Sequence, residues 1–70
     1  MVSEQRIKAA IAYAGTSQAK VAIAIGMTPS NFNQKLKRST FTETELRMIA
    51  EVIEADLIPF TFVFKDGMKI

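Results

Sequence analysis

The sequence predicts a mainly α domain, four short helices closed by a C-terminal β-strand or short hairpin, and three observations carry that prediction. Apolar residues recur at three- and four-residue steps from Ile7 to Ala14 and again from Leu46 to Ile53. Residues that start or stop helices punctuate the chain at Ser3, Gly15, Thr16 or Ser17, Gly26, Thr28-Pro29 and Thr42. After Pro59 the period becomes two: Phe60, Phe62 and Phe64 alternate with Thr61, Val63 and Lys65. Seventy residues without a linker, repeat or low-complexity tract make one domain, 1–70. A chain of this size buries only about 60% of the surface its unfolded form exposes.

Helix one spans about 3–14. Ser3 is its N-cap, Val2 and Ile7 stand at the spacing of a hydrophobic staple, and Gly15 stops it. The next stretch, about 17–25, alternates Val21, Ile23 and Ile25 with alanines as a strand would. Alanine is the strongest helix former and poor in strands, so a second helix is expected there, with Val21, Ala22 and Ile25 inward. Gly26 closes it, Thr28 caps helix three, about 29–37, and Pro29 fits a first position that needs no amide donor. Only Gly26, Met27 and Thr28 separate the two helices, a gap that implies a steep crossing. Phe32 and Leu36 supply the inward stripe of helix three, and its remaining surface is amide-rich and cationic. Thr42 to Glu45 is a capping box stapled by Phe41 and Leu46, and it opens helix four, about 43–55. A strand follows at about 60–65. Asp66-Gly67 then turns the chain into a short second strand at 68–70.

Composition narrows the chemistry. There is no cysteine and no histidine, which removes disulfides, thiolate metal sites and the commonest metal ligand and general base. No glycine-rich phosphate loop is present, and the acids of helix four read as a solvated face around Arg47 rather than as paired catalytic carboxylates. No enzyme, cofactor, metal or small-molecule ligand is therefore expected. Arg6 and Lys8 precede an apolar patch, but Gln18 and Lys20 interrupt it before it reads as a signal peptide. No apolar run approaches the roughly 18 residues of a membrane span, so a cytoplasmic protein without membrane contact is expected.

The net charge of +2 conceals a separation along the chain. Gln5 to Thr42 holds six cations and no acid, whereas Glu43 to Ile70 holds six acids against three cations. One positive face toward an anionic partner is the functional reading of that separation, and a chance run in a small domain is the plain one.

The ordered set of Gln18, Ala22, Gly26, Met27 and Phe32 resembles the Cro/repressor (XRE-type) helix-turn-helix family of bacterial and phage DNA-binding proteins. The resemblance covers about Val2 to Asp56, with its specific part from Gln18 to Leu36. Two departures stand out. Lys35 occupies a place usually apolar in the family, with Leu36 one later, which implies a slightly rotated helix three. Ile23 and Ala24 occupy places more often polar, and Ile23 is expected to pack under the C-terminal strand or a partner subunit. The resemblance implies a λ-repressor-like domain that binds double-stranded DNA. Ser30 and Gln34 would read bases, flanked by Asn31 and Asn33. Gln18, Thr28, Lys35, Lys37 and Arg38 would contact phosphates. Glutamine and asparagine can pair in bidentate fashion with adenine, and Lys37 and Arg38 suit sequence-independent attraction to the backbone. A merely solvated cationic surface is the plain alternative.

A strand with three alternating phenylalanines needs a partner. Its open edge, at Phe60, Thr61, Phe62, Val63 and Phe64, is expected to pair with a twin strand, giving a homodimer on a roughly palindromic operator. A monomer whose hairpin covers its own core is the alternative. The function expected is transcriptional regulation, repressor-like, a phage or mobile-element control protein being one form. The alternative is a protein-interaction module, antitoxin-like or adaptor, that uses the strand to augment a partner's sheet.

Overall fold

The computed structural model describes residues 2–70 and consists of four helices followed by a small antiparallel sheet. The elements are α1 (Glu4–Tyr13), α2 (Gln18–Ala24), α3 (Pro29–Arg38), α4 (Glu43–Val52), β1 (Ala55–Leu57) and β2 (Phe62–Phe64). Each helix begins where a hydroxyl side chain satisfies a free amide. Ser3 accepts from the Arg6 N–H, Ser17 from Lys20, Thr28 from Asn31 and Thr42 from Glu45. The capping box of α4 is complete, with Glu45 Oε1 accepting from the Thr42 N–H at 2.9 Å. Both staples close as well, since Val2, Ile7, Phe41 and Leu46 are all buried.

One cluster forms the core. Val21, Ala22 and Ile25 of α2 meet Phe32 and Leu36 of α3, Ile7, Ala10 and Ile11 of α1, and Leu46, Ile49 and Ala50 of α4. Phe32 and Phe41 stack in a tilted pair with ring centroids 5.0 Å apart. Phe62, wholly inaccessible to solvent, and Phe64 bring the sheet into the same cluster. Among the described residues no polar or charged side chain is buried, and no helix is long and apolar enough to cross a membrane.

The C-terminal third departs from the expected arrangement. Helix four ends at Val52 rather than 55, because Ile53 is the last residue of its buried stripe and Glu54 turns left-handed at φ 58°. Ala55–Leu57 then forms a strand that the alanine and aspartate there do not suggest. Its register is Ala55 opposite Phe64, Asp56 opposite Val63 and Leu57 opposite Phe62. The second strand is Phe62–Phe64, not 60–65. Phe60 lies in the connection at φ 58° and is 57% exposed, so it does not share a face with the buried Phe62 and Phe64.

The segment 68–70 pairs with the other edge of β2. Phe62 and Ile70 exchange hydrogen bonds of 2.7 and 2.8 Å, the Phe64 N–H donates to the Met68 carbonyl, and Val63 bridges Lys69. Thus β2 is the middle strand with both edges occupied, and its backbone is not open for the twin-strand pairing expected at Phe60, Thr61, Phe62, Val63 and Phe64. The hairpin is held to α1 by Arg6 donating to Thr61 Oγ1, by Tyr13 donating to Asp66, and by the Tyr13 ring against Phe64 at 4.8 Å.

Candidate nucleic-acid interface

The link between α2 and α3 is built by a glycine. At φ 81°, Gly26 lets its own N–H reach the Ile23 carbonyl while the Met27 N–H reaches that of Ala22 at 2.9 Å, which closes α2 in a Schellman motif. Met27 folds back against the core, and Thr28 caps α3 at once. The start of α3 is therefore pinned on both sides. Because Phe32 and Leu36 are buried, the direction of every other side chain on α3 is fixed.

Side chains advance by about 100° per residue around a helix. The direction opposite to Phe32 and Leu36 falls on Gln34. Ser30, Asn31, Lys37 and Arg38 lie within roughly 60° of it, whereas Asn33 and Lys35 sit near the flanks, roughly 100° away. Ser30, Asn31, Asn33, Gln34, Lys37 and Arg38 are all solvent-exposed, as is Thr28. Asn31, Gln34, Lys35 and Arg38 share a shallow polar depression of about 350 Å³ with Met27 and Thr40. Ser30, Asn33 and Lys37 fall outside its lining. The structure thus divides the expected base-reading group: Asn31 and Gln34 share one concavity, whereas Ser30, on the same outward face, and Asn33, near a flank, lie outside it.

Charge on this face is of two kinds. Among the described residues Lys37 and Arg38 make no ion pair. Lys35 does: its Nζ stands 2.5 Å from Glu45 Oε2 and ties the flank of α3 to the first turn of α4. Burial alone would raise the Glu45 carboxyl, but the Lys35 ammonium and the Thr42 N–H and hydroxyl outweigh it and hold the group below its ordinary value. Lys35 thus has a structural partner that the sequence reading did not give it. The available signal was its place at a normally apolar position beside Leu36, where a lysine stem packs along the surface and its head needs an acid.

At the head of α2, Gln18 is half-buried beside the cap formed by Ser17. Ile23 is 67% exposed, so it does not pack under the C-terminal strand. No group of three or more potential metal-ligating side chains occurs among the described residues. Comparison with protein-family models, curated proteins and solved structures returned no match to the chain.

Proposed function

We propose that this chain is a sequence-specific double-stranded DNA-binding regulator of the helix-turn-helix type, acting as a dimer on a palindromic operator. The observation that carries the reading is the outer face of α3. On it an exposed amide, Gln34, stands directly opposite the buried anchors Phe32 and Leu36, between amide or hydroxyl neighbours and two cations that make no ion pair among the described residues. A helix of this girth fits the major groove, where Gln34 and Asn31 can each pair with the donor and acceptor edge of an adenine. Lys37 and Arg38, one turn beyond, suit the flanking phosphates and supply attraction that does not depend on sequence. Thr28 and Gln18, at the starts of α3 and α2, stand where backbone amides already favour an anion.

Lys35 makes no phosphate contact in this reading, because its charge is already paired with Glu45. The remaining direct contacts are few, which suits a module that gains operator affinity by binding as a pair. Two recognition helices related by a twofold axis would meet half-sites about 34 Å apart.

The test is selection of bound duplexes from a random pool, followed by titration of the selected site at several salt concentrations. A conserved half-site, repeated as an inverted pair and bound with an affinity that falls steeply with salt, is the expected result. No enrichment, or affinity indifferent to salt, would rule the reading out.

A further inference from the structure

Two acids in the first turn of α4 are each paired with a cation, and the two pairs differ in kind. Glu43 meets Arg47 along one exposed helix face, with side chains 74% and 66% exposed. Glu45 reaches instead to Lys35 on α3, and there the side chains are 16% and 37% exposed. The second pair is therefore the less screened by water.

Its two members are unequally free to move. Glu45 Oε1 accepts from the Thr42 N–H at 2.9 Å, and the Glu45 N–H donates to the Thr42 hydroxyl at 3.1 Å, so the capping box fixes the carboxylate whichever way the lysine turns. Lys35 carries its charge on a flexible four-carbon stem. That stem lines the depression of about 350 Å³ shared with Asn31, Gln34 and Arg38. Released from Glu45, its ammonium would join the face of α3 read above as meeting DNA.

We infer that Glu45 is a positioning residue for DNA binding, which holds the Lys35 ammonium off the phosphate backbone and so limits attachment to unrelated sequence. The role rests on the DNA-binding reading of α3 and adds a control of specificity seated on α4. A phosphate contact carries no sequence information. On an operator, base contacts by Asn31 and Gln34 fix the register of α3, and a lysine roughly 100° from the direction of Gln34 must take whatever phosphate that register offers. On unrelated DNA no base contact fixes the register, so a free Lys35 can settle where it pairs best. Freeing it therefore strengthens unspecific binding more than specific binding, and their ratio decides how well an operator is found. Lys37 and Arg38, which make no ion pair among the described residues, already supply unspecific attraction.

The test compares the natural chain, Glu45→Gln, Lys35→Met and the double variant by fluorescence anisotropy, on the selected operator and on an unrelated duplex of equal length. Glutamine also suits the third position of a capping box, so Glu45→Gln should keep the helical circular dichroism of the natural chain. On the unrelated duplex its log affinity should fall more steeply with log salt by about 0.9, a roughly threefold larger loss between about 50 and 200 mM. Its ratio of operator to unrelated affinity should drop. Adding Lys35→Met should restore the natural slope and ratio, and Lys35→Met alone should leave the slope unchanged. A Glu45 that served only the fold would alter affinity without steepening that slope. An unchanged slope in Glu45→Gln, or a steepening that persists in the double variant, would overturn the inference while leaving DNA binding intact. So would a flatter slope for Lys35→Met alone, a variant that keeps the Glu45 cap and decides the matter even if Glu45→Gln does not fold. A natural chain that binds neither duplex would overturn the DNA-binding reading itself, and the role of Glu45 with it.

Discussion

Direction on α3 follows from position, because Phe32 and Leu36 bury one side of a ten-residue helix and leave little rotational freedom to the rest. Gln34 then points straight outward and Asn33 toward a flank, although the two are neighbours in sequence. On the DNA-binding reading, Gln34→Ala should weaken binding to the selected operator by about 1 to 3 kcal/mol and relax the preference at one base pair. Asn33→Ala should cost less than about 0.5 kcal/mol, as expected away from the interface centre. Fluorescence anisotropy with the operator and single-base variants separates the two. The lysines divide in the same way. Lys37→Ala should reduce the slope of log affinity against log salt by about 0.9, the contribution of one phosphate contact. Lys35→Ala should leave that slope unchanged, since its ammonium is held by Glu45. Equal slope changes for both lysines would show that Lys35 leaves Glu45 when DNA binds.

Helix ends are where the elements of this fold gain or lose stability. The end of α3 repeats the glycine motif of α2 with serine instead: Ser39 sits at φ 53°, and the Thr40 N–H reaches the Lys35 carbonyl at 3.0 Å. A side chain in that conformation costs roughly 1 kcal/mol, so Ser39→Gly should raise unfolding stability by about that amount in a urea titration. At the start of α4, Glu45 both completes the capping box and pairs with Lys35. Its carboxyl is held below the ordinary value in the fold, so it contributes stability above the unfolded glutamate value, about 4.3. That contribution is lost as pH falls through the lower folded value. Glu45→Gln keeps the cap but not the titration: it should cost at most about 0.5 kcal/mol at neutral pH and flatten the acid limb of a urea-midpoint profile. The helix starts were legible in sequence because caps, staples and Pro29 act within four residues of one another. The end of α4 was not legible. Glu54 carries no stop signal, and Ala55–Leu57 is a strand only because Phe62–Phe64 lies beside it, a pairing set by tertiary contact rather than local preference. The exposed residues of α3 were likewise visible from Phe32 and Leu36. The Lys35–Glu45 pair, ten residues apart and across two helices, was not.

At the scale of the whole molecule, four helices and a hairpin share one core, and the hairpin is part of that core rather than an appendage. Phe62 and Phe32 are among the largest side chains wholly removed from solvent, and the middle strand that carries Phe62 is bonded on both edges. A domain of this length has a total stability of roughly 3.5 to 10 kcal/mol at the usual value per residue. Truncating a buried phenylalanine to alanine costs about 3 to 5 kcal/mol, a third of that total or more. Phe62→Ala should therefore leave a chain that is largely or marginally unfolded at 37 °C, whereas Met68→Ser, at an exposed position of the same hairpin, should stay within about 0.5 kcal/mol of the natural chain. A chain ending at Asp56 loses Phe62 and Phe64 together, along with the ties from Arg6 to Thr61 and from Tyr13 to Asp66. It should show neither a cooperative thermal transition nor the helical far-ultraviolet circular dichroism of the full chain. If that fragment melts cooperatively with its helical signal intact, the helices suffice by themselves, and the hairpin's burial against them is not what holds α2 and α3 in place to present Gln34.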